Sequence, residues 1–147
     1  MTQIEPSEKS FVLLVEDNPI DANRIMWAFQ RRRKLIVIVR NGNEAARFLF
    51  GDKTGGGRRD IPSLIVLKLE LPGQSGFEIL EQIRSNERTR RIPVVVFSAF
   101  NETHKQAAHE LGADDFCRKP GNPRQWQEAV DALSNRWLSR PGRFIPA

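Results

Sequence analysis

Residues 64–80 read LIVLKLELPGQSGFEIL. Leu64 to Leu69 is an apolar run short enough for a strand and apolar enough to be buried on both faces. Pro72 to Gly76 then breaks the chain into a loop, and Phe77 to Arg84 carries helical spacing. A buried strand leading through a short loop into a helix is half of a parallel strand–helix–strand unit.

The pattern repeats on both sides. Upstream, Phe11 to Val15 is a first strand that ends at Glu16-Asp17-Asn18-Pro19. Asn18 suits an N-cap and Pro19 the first helical turn. The helix runs to about Arg32, with Ile20, Ile25, Met26 and Phe29 expected on its inner side. Leu35 to Val39 is the second strand, Asn41-Gly42 a turn, and a helix follows from about Asn43 to Phe50. Gly51 to Ile61 reads as a flexible connector: its three glycines lack the lysine-serine/threonine ending of a phosphate-binding loop.

Downstream, Pro93 to Phe97 is the fourth strand, followed by Ser98. A helix from about Glu102 to Leu111 ends at Gly112, a good residue to follow a helix. Asp114 to Cys117 is a short fifth strand closed by Lys119-Pro120. A last helix opens at Asn122 or Pro123 and reaches Trp137 or Leu138, with Trp126, Val130, Leu133 and Trp137 as its packing face. Five strand–helix alternations demand an α/β fold: a doubly wound, five-stranded parallel sheet, order 2-1-3-4-5, flavodoxin-like. The domain is expected over residues 10–138, between a disordered segment, 1–9, and an extended tail, 139–147.

In this topology the ligand crevice lies at the carboxyl ends of the strands. That rule gathers Glu16 and Asp17, Lys68 to Glu70, Ser98, and Lys119-Pro120. The carboxylates of Glu16 and Asp17, the hydroxyl of Ser98 and the ammonium groups of Lys68 and Lys119 converge on one pocket.

The segments VLLVEDNP, LIVLKLELPGQSGFEIL, IPVVVFSA and LGADDFCRKP together resemble the receiver domain of two-component response regulators, over about residues 10–138. The long loop before the third strand and the ending Arg136-Trp137-Leu138 resemble the single-domain regulators that work with bacterial phytochrome-type histidine kinases. The resemblance implies that Glu16 and Asp17 form the Mg²⁺ site, that Ser98 and Lys119 contact a phosphoryl group, and that Phe116, three positions before Lys119, is the switch aromatic. It also implies a cis Lys119-Pro120 peptide. One position departs from the pattern. The phosphoacceptor aspartate is expected where Lys68 stands, and an ammonium cannot form an acyl phosphate.

Two placements of Lys68 are open at this level. Its ammonium can take the cation position beside Glu16 and Asp17, where one ion pair at ~4 Å carries about 4 kcal/mol of attraction at an effective dielectric of ~20, before desolvation. Or it swings to solvent and leaves a relic pocket. Mg²⁺ binding is expected to be weak or lost either way. Glu70, two residues on, is a rival acceptor.

The chain has 147 residues with 23 Lys and Arg against 18 Asp and Glu, a net charge of +5. This length can bury about two-thirds of its unfolded surface. One cysteine, Cys117, excludes an intrachain disulfide, and with His104 and His109 as the only histidines a structural zinc site is not expected. No run approaches the ~20 residues of a membrane span, and the N-terminus lacks a signal-peptide layout. The expected location is the cytoplasm. The positive charge raises a nucleic-acid-binding module as a rival, but Arg31 to Lys34, Arg58-Arg59 and Arg88 to Arg91 have no interleaved aromatics. No nucleophile–base–orienter set forms from Ser98 and two distant histidines, so an enzyme is not expected. The expectation is a stand-alone receiver that acts by protein–protein interaction, with no cofactor of its own. Its expected partners are a phytochrome-type histidine kinase and a second copy, the tail residues Phe144 to Pro146 crossing between copies.

Overall fold

A computed structural model describes residues 10–51, 61–99 and 101–138. The segments 1–9 and 139–147 and most of the glycine-rich connector lie outside the described residues. Five strands, β1 (Val12–Val15), β2 (Ile36–Val39), β3 (Leu64–Leu67), β4 (Val94–Ser98) and β5 (Asp115–Arg118), alternate with five helices, α1 (Pro19–Arg31), α2 (Gly42–Phe50), α3 (Gly76–Ser85), α4 (Glu102–Glu110) and α5 (Pro123–Trp137). All strand pairings are parallel, in the order β2-β1-β3-β4-β5.

The period of two along each strand divides the core. Leu13, Val15, Ile65, Leu67, Val94 and Val96 face α2, α3 and α4. Val12, Leu14, Leu64, Val66, Val95 and Phe97 face α1 and α5. Burial on both sides is why the central strands are continuous apolar runs instead of alternating ones.

Local chemistry places each helix start. Asn18 Oδ1 accepts the N–H groups of Ile20 and Asp21 at 2.9 and 3.0 Å. Ser75 and Glu78 close a reciprocal capping box at the start of α3. Gly76 is required by contact: a Cβ there would stand 2.2 Å from the Lys68 carbonyl oxygen. At the amino ends of the strands, Arg84 ties two turns together. It donates to the carbonyls of Gly112, Arg90 and Ile92 at 2.8–3.0 Å and to Asp114 Oδ2 at 2.8 Å.

Three expectations are corrected. Ile20 is 61% exposed instead of facing inward. The buried stripe of α1 is Ala22, Ile25, Ala28 and Phe29, and Ile20 lies five residues before Ile25, well off that stripe at ~100° per residue. β3 ends at Leu67 instead of Leu69, because the Leu69 N–H leaves the ladder for the hydroxyl of Ser98 at 3.2 Å. No described peptide bond is cis, so Lys119-Pro120 is trans.

Candidate functional site

The carboxyl ends of β1, β3 and β5 and the first turn of α1 hold one ion-pair cluster. Glu16, 1% exposed, is a buried carboxylate. Such a group is tolerated only when its oxygens are paired, and both are. Oε1 lies 2.8 Å from Lys119 Nζ. Oε2 lies 3.5 Å from Lys68 Nζ and accepts the Asn18 N–H at 3.1 Å. Lys68 Nζ donates to Asp17 Oδ1 at 2.8 Å. Lys119 Nζ donates to Asp21 Oδ2, also at 2.8 Å.

The side chains form a chain of alternating charge, Asp17, Lys68, Glu16, Lys119, Asp21. Burial alone pushes the Asp17 carboxyl up, but the hydrogen bond from Lys68 and the charges of Lys68 and Lys119 outweigh it and hold Asp17 below the usual range. Burial likewise pushes Lys68 down, and the Asp17 hydrogen bond with the charges of Glu16 and Asp17 outweighs it. The Lys68 ammonium therefore sits above its ordinary value.

The other residues singled out in the sequence sit around this cluster. Ser98 is buried, its Oγ accepting the Leu69 N–H and its carbonyl accepting the Lys119 N–H at 2.9 Å. Phe116 is half-buried and packs onto the core beneath α2, α3 and α4. Glu70 is exposed, and no ion pair among the described residues includes it. His104 packs edge-on against Phe77, with ring centroids 5.3 Å apart. Asp21 was not among the residues gathered from the sequence. An acid in the first turn of a helix is common for its interaction with the helix dipole alone.

The response regulator receiver domain model matches residues 12–131. The chain belongs to that family. The receiver domain is 33% identical over 138 residues to the probable methanogenesis regulatory protein FilR2 of Methanothrix harundinacea, covering 92% of this chain and 88% of that protein. It is 31% identical over 139 residues to the response regulator Rcp1 of Synechocystis, covering 91% and 92%. Among solved structures it resembles phosphorylated RcpA, a cyanobacterial phytochrome response regulator. That likeness has a TM-score of 0.80 and 34% identity, covering 88% of this chain and 94% of the other. The fold is the flavodoxin-like receiver fold, and the module is one of two-component signalling. Among the described residues no helix is long and apolar enough to cross a membrane.

Rcp1 has been solved in a Mn²⁺-bound form, but the donors here do not fit a divalent cation as placed. Both carboxylates that end β1 are held by ammonium groups. Among the described residues no three His, Cys, Asp or Glu side chains are grouped as a metal site.

Proposed function

We propose that this receiver domain works without accepting a phosphoryl group at the end of β3, and that it signals by binding a histidine kinase of the phytochrome-associated kind. The observation that carries the reading is the seat of Lys68. Its ammonium lies within 2.8 Å of Asp17, at the strand end where receivers are expected to hold their acceptor. A protonated amine has no lone pair with which to attack phosphorus, and its neighbours favour the protonated form. The hydroxyl of Ser98 is buried, and Glu70 is exposed and takes no part in the ion pairs of Lys68 and Lys119. A receiver with such a site keeps the surfaces a kinase recognises and lacks the chemistry the kinase drives. The likeness to RcpA and Rcp1 supports a phytochrome-type kinase as the partner.

The test is intact mass after incubation with Mg²⁺ and acetyl phosphate, run beside Lys68→Asp. The protein should stay unmodified while the variant gains one phosphoryl group. A phosphoryl group on the unsubstituted protein overturns the reading, and peptide mapping would then look first at Glu70 and Ser98.

A further inference from the structure

The cluster at the strand ends contains three carboxylates and two ammonium groups in one unbroken sequence of contacts, four of them 2.8–3.5 Å long. The contacts reach four separate elements. Glu16 and Asp17 follow β1, Lys68 follows β3, Lys119 follows β5, and Asp21 belongs to α1. Each ammonium bridges two acids. Lys68 joins Asp17 to Glu16, and Lys119 joins Glu16 to Asp21. The most buried carboxylate, Glu16, is therefore the shared member, with one oxygen for each lysine.

We infer that Lys68 is the resident cation of this site, a covalently attached substitute for a divalent ion seated between Asp17 and Glu16, and that it closes the site to Mg²⁺ and Mn²⁺. The inference rests on the proposed reading that Lys68 stands at the acceptor position, and it adds what fills the site instead. A divalent ion approaching Glu16 and Asp17 meets a positive charge already seated between them. It must expel that ammonium or share the carboxylates with it, and repulsion from a doubly charged ion is twice that from another ammonium at the same distance. Mg²⁺ also needs near-octahedral oxygen ligation, and the oxygens that would start that shell are spent. Because the substitute ion is a side chain, it cannot be removed by a chelator.

The test is Mn²⁺ binding by titration calorimetry for the whole protein, Lys68→Ala and Lys68→Asp. Melting temperatures are read in EDTA and in Mn²⁺. The unsubstituted protein should melt at the same temperature in both. Lys68→Ala should bind Mn²⁺ roughly tenfold more tightly or better, and Lys68→Asp more tightly again. If Lys68→Ala loses its melting transition, Lys68→Met keeps the stem and takes its place with the same expected gain.

Mn²⁺ affinity in the unsubstituted protein equal to that of Lys68→Ala overturns the inference. So does a failure of every variant to gain affinity. Mn²⁺ binding without phosphoryl uptake removes this inference and leaves the proposed function standing. Phosphoryl uptake without Mn²⁺ binding does the reverse.

Discussion

The two poles of the sheet are both closed by cationic side chains, but with different chemistry. At the carboxyl ends, Lys68 and Lys119 reach carboxylate oxygens. At the amino ends, Arg84 reaches three backbone carbonyls and a single carboxylate, and that carboxylate, Asp114, also accepts the Val94 N–H at 2.8 Å. A guanidinium is a rigid fork that fits fixed acceptors, whereas an ammonium is a point charge satisfied by any nearby oxygens. The amino pole is thus held by shape and the carboxyl pole by charge balance. A pole held by charge balance can exchange one cation for another without moving its strands. Here the cations that balance the carboxylates are two lysine side chains.

The contrast can be broken in three places. The largest effect is expected from Gly76→Ala. Its Cβ would stand 2.2 Å from the Lys68 carbonyl oxygen and 2.6 Å from Leu69 Cα, both rigid backbone. The loop carrying Lys68 must shift, at a cost above ~3 kcal/mol, read as a large fall in the urea midpoint. An unchanged midpoint would mean the carboxyl pole tolerates displacement of its backbone as well as of its charges.

Arg84→Ala comes next, with a loss of roughly 2–3 kcal/mol as several carbonyls lose their donor together. Arg84→Lys should recover less than half of it, because one ammonium cannot span acceptors fixed on separate turns. Full recovery in lysine would erase the distinction between the poles.

The smallest effect sharpens the comparison through pH. Asp17 is depressed in the fold, so its contribution is present above the ordinary ~3.9 and is lost as pH falls through the lower folded value. Lys68 is raised, so its contribution is complete below ~10.4 and is lost as pH rises through the higher folded value. Both side chains are partly solvated, at 21% and 33% exposure, so screening holds the pair to about 1 kcal/mol or less. Lys68→Met should lower stability at neutral pH by that amount and flatten both the acid and the alkaline limb of a stability–pH curve. Limbs unchanged from the parent protein would show that Asp17 and Lys68 titrate independently.

The fold was legible because its signals are local or periodic. Asn18-Pro19, Asn41-Gly42 and Gly112 marked turns and caps by their own chemistry, and the apolar runs at Val12 and Leu64 could only be buried strands. Ile20 misled because hydrophobicity was read where geometry decides: two alanines, Ala22 and Ala28, hold the inner face of α1. Their small side chains carry little signal in the sequence, though they admit the sheet closely. The end of β3 was misplaced for a different reason. Its ladder is cut by the hydroxyl of Ser98, 29 residues downstream from Leu69. At the site, Glu16, Asp17, Lys68 and Lys119 could be gathered by topology alone, since each follows a strand. Asp21 could not. Its partner lies 98 residues away, and nothing in the linear sequence separates an acid that caps a helix from one that anchors a lysine.

Cys117 lies in β5, half-buried against the face that α1 and α5 cover. Burial and the neighbouring Asp115 charge push its thiol up to about 11. At neutral pH only about one molecule in ten thousand then carries a thiolate, against a few per cent for a free cysteine. The only sulfhydryl of the chain is thus slow toward alkylating reagents at neutral pH. Its rate of labelling reports how tightly β5 stays packed against that face, readable without adding any probe to the sequence.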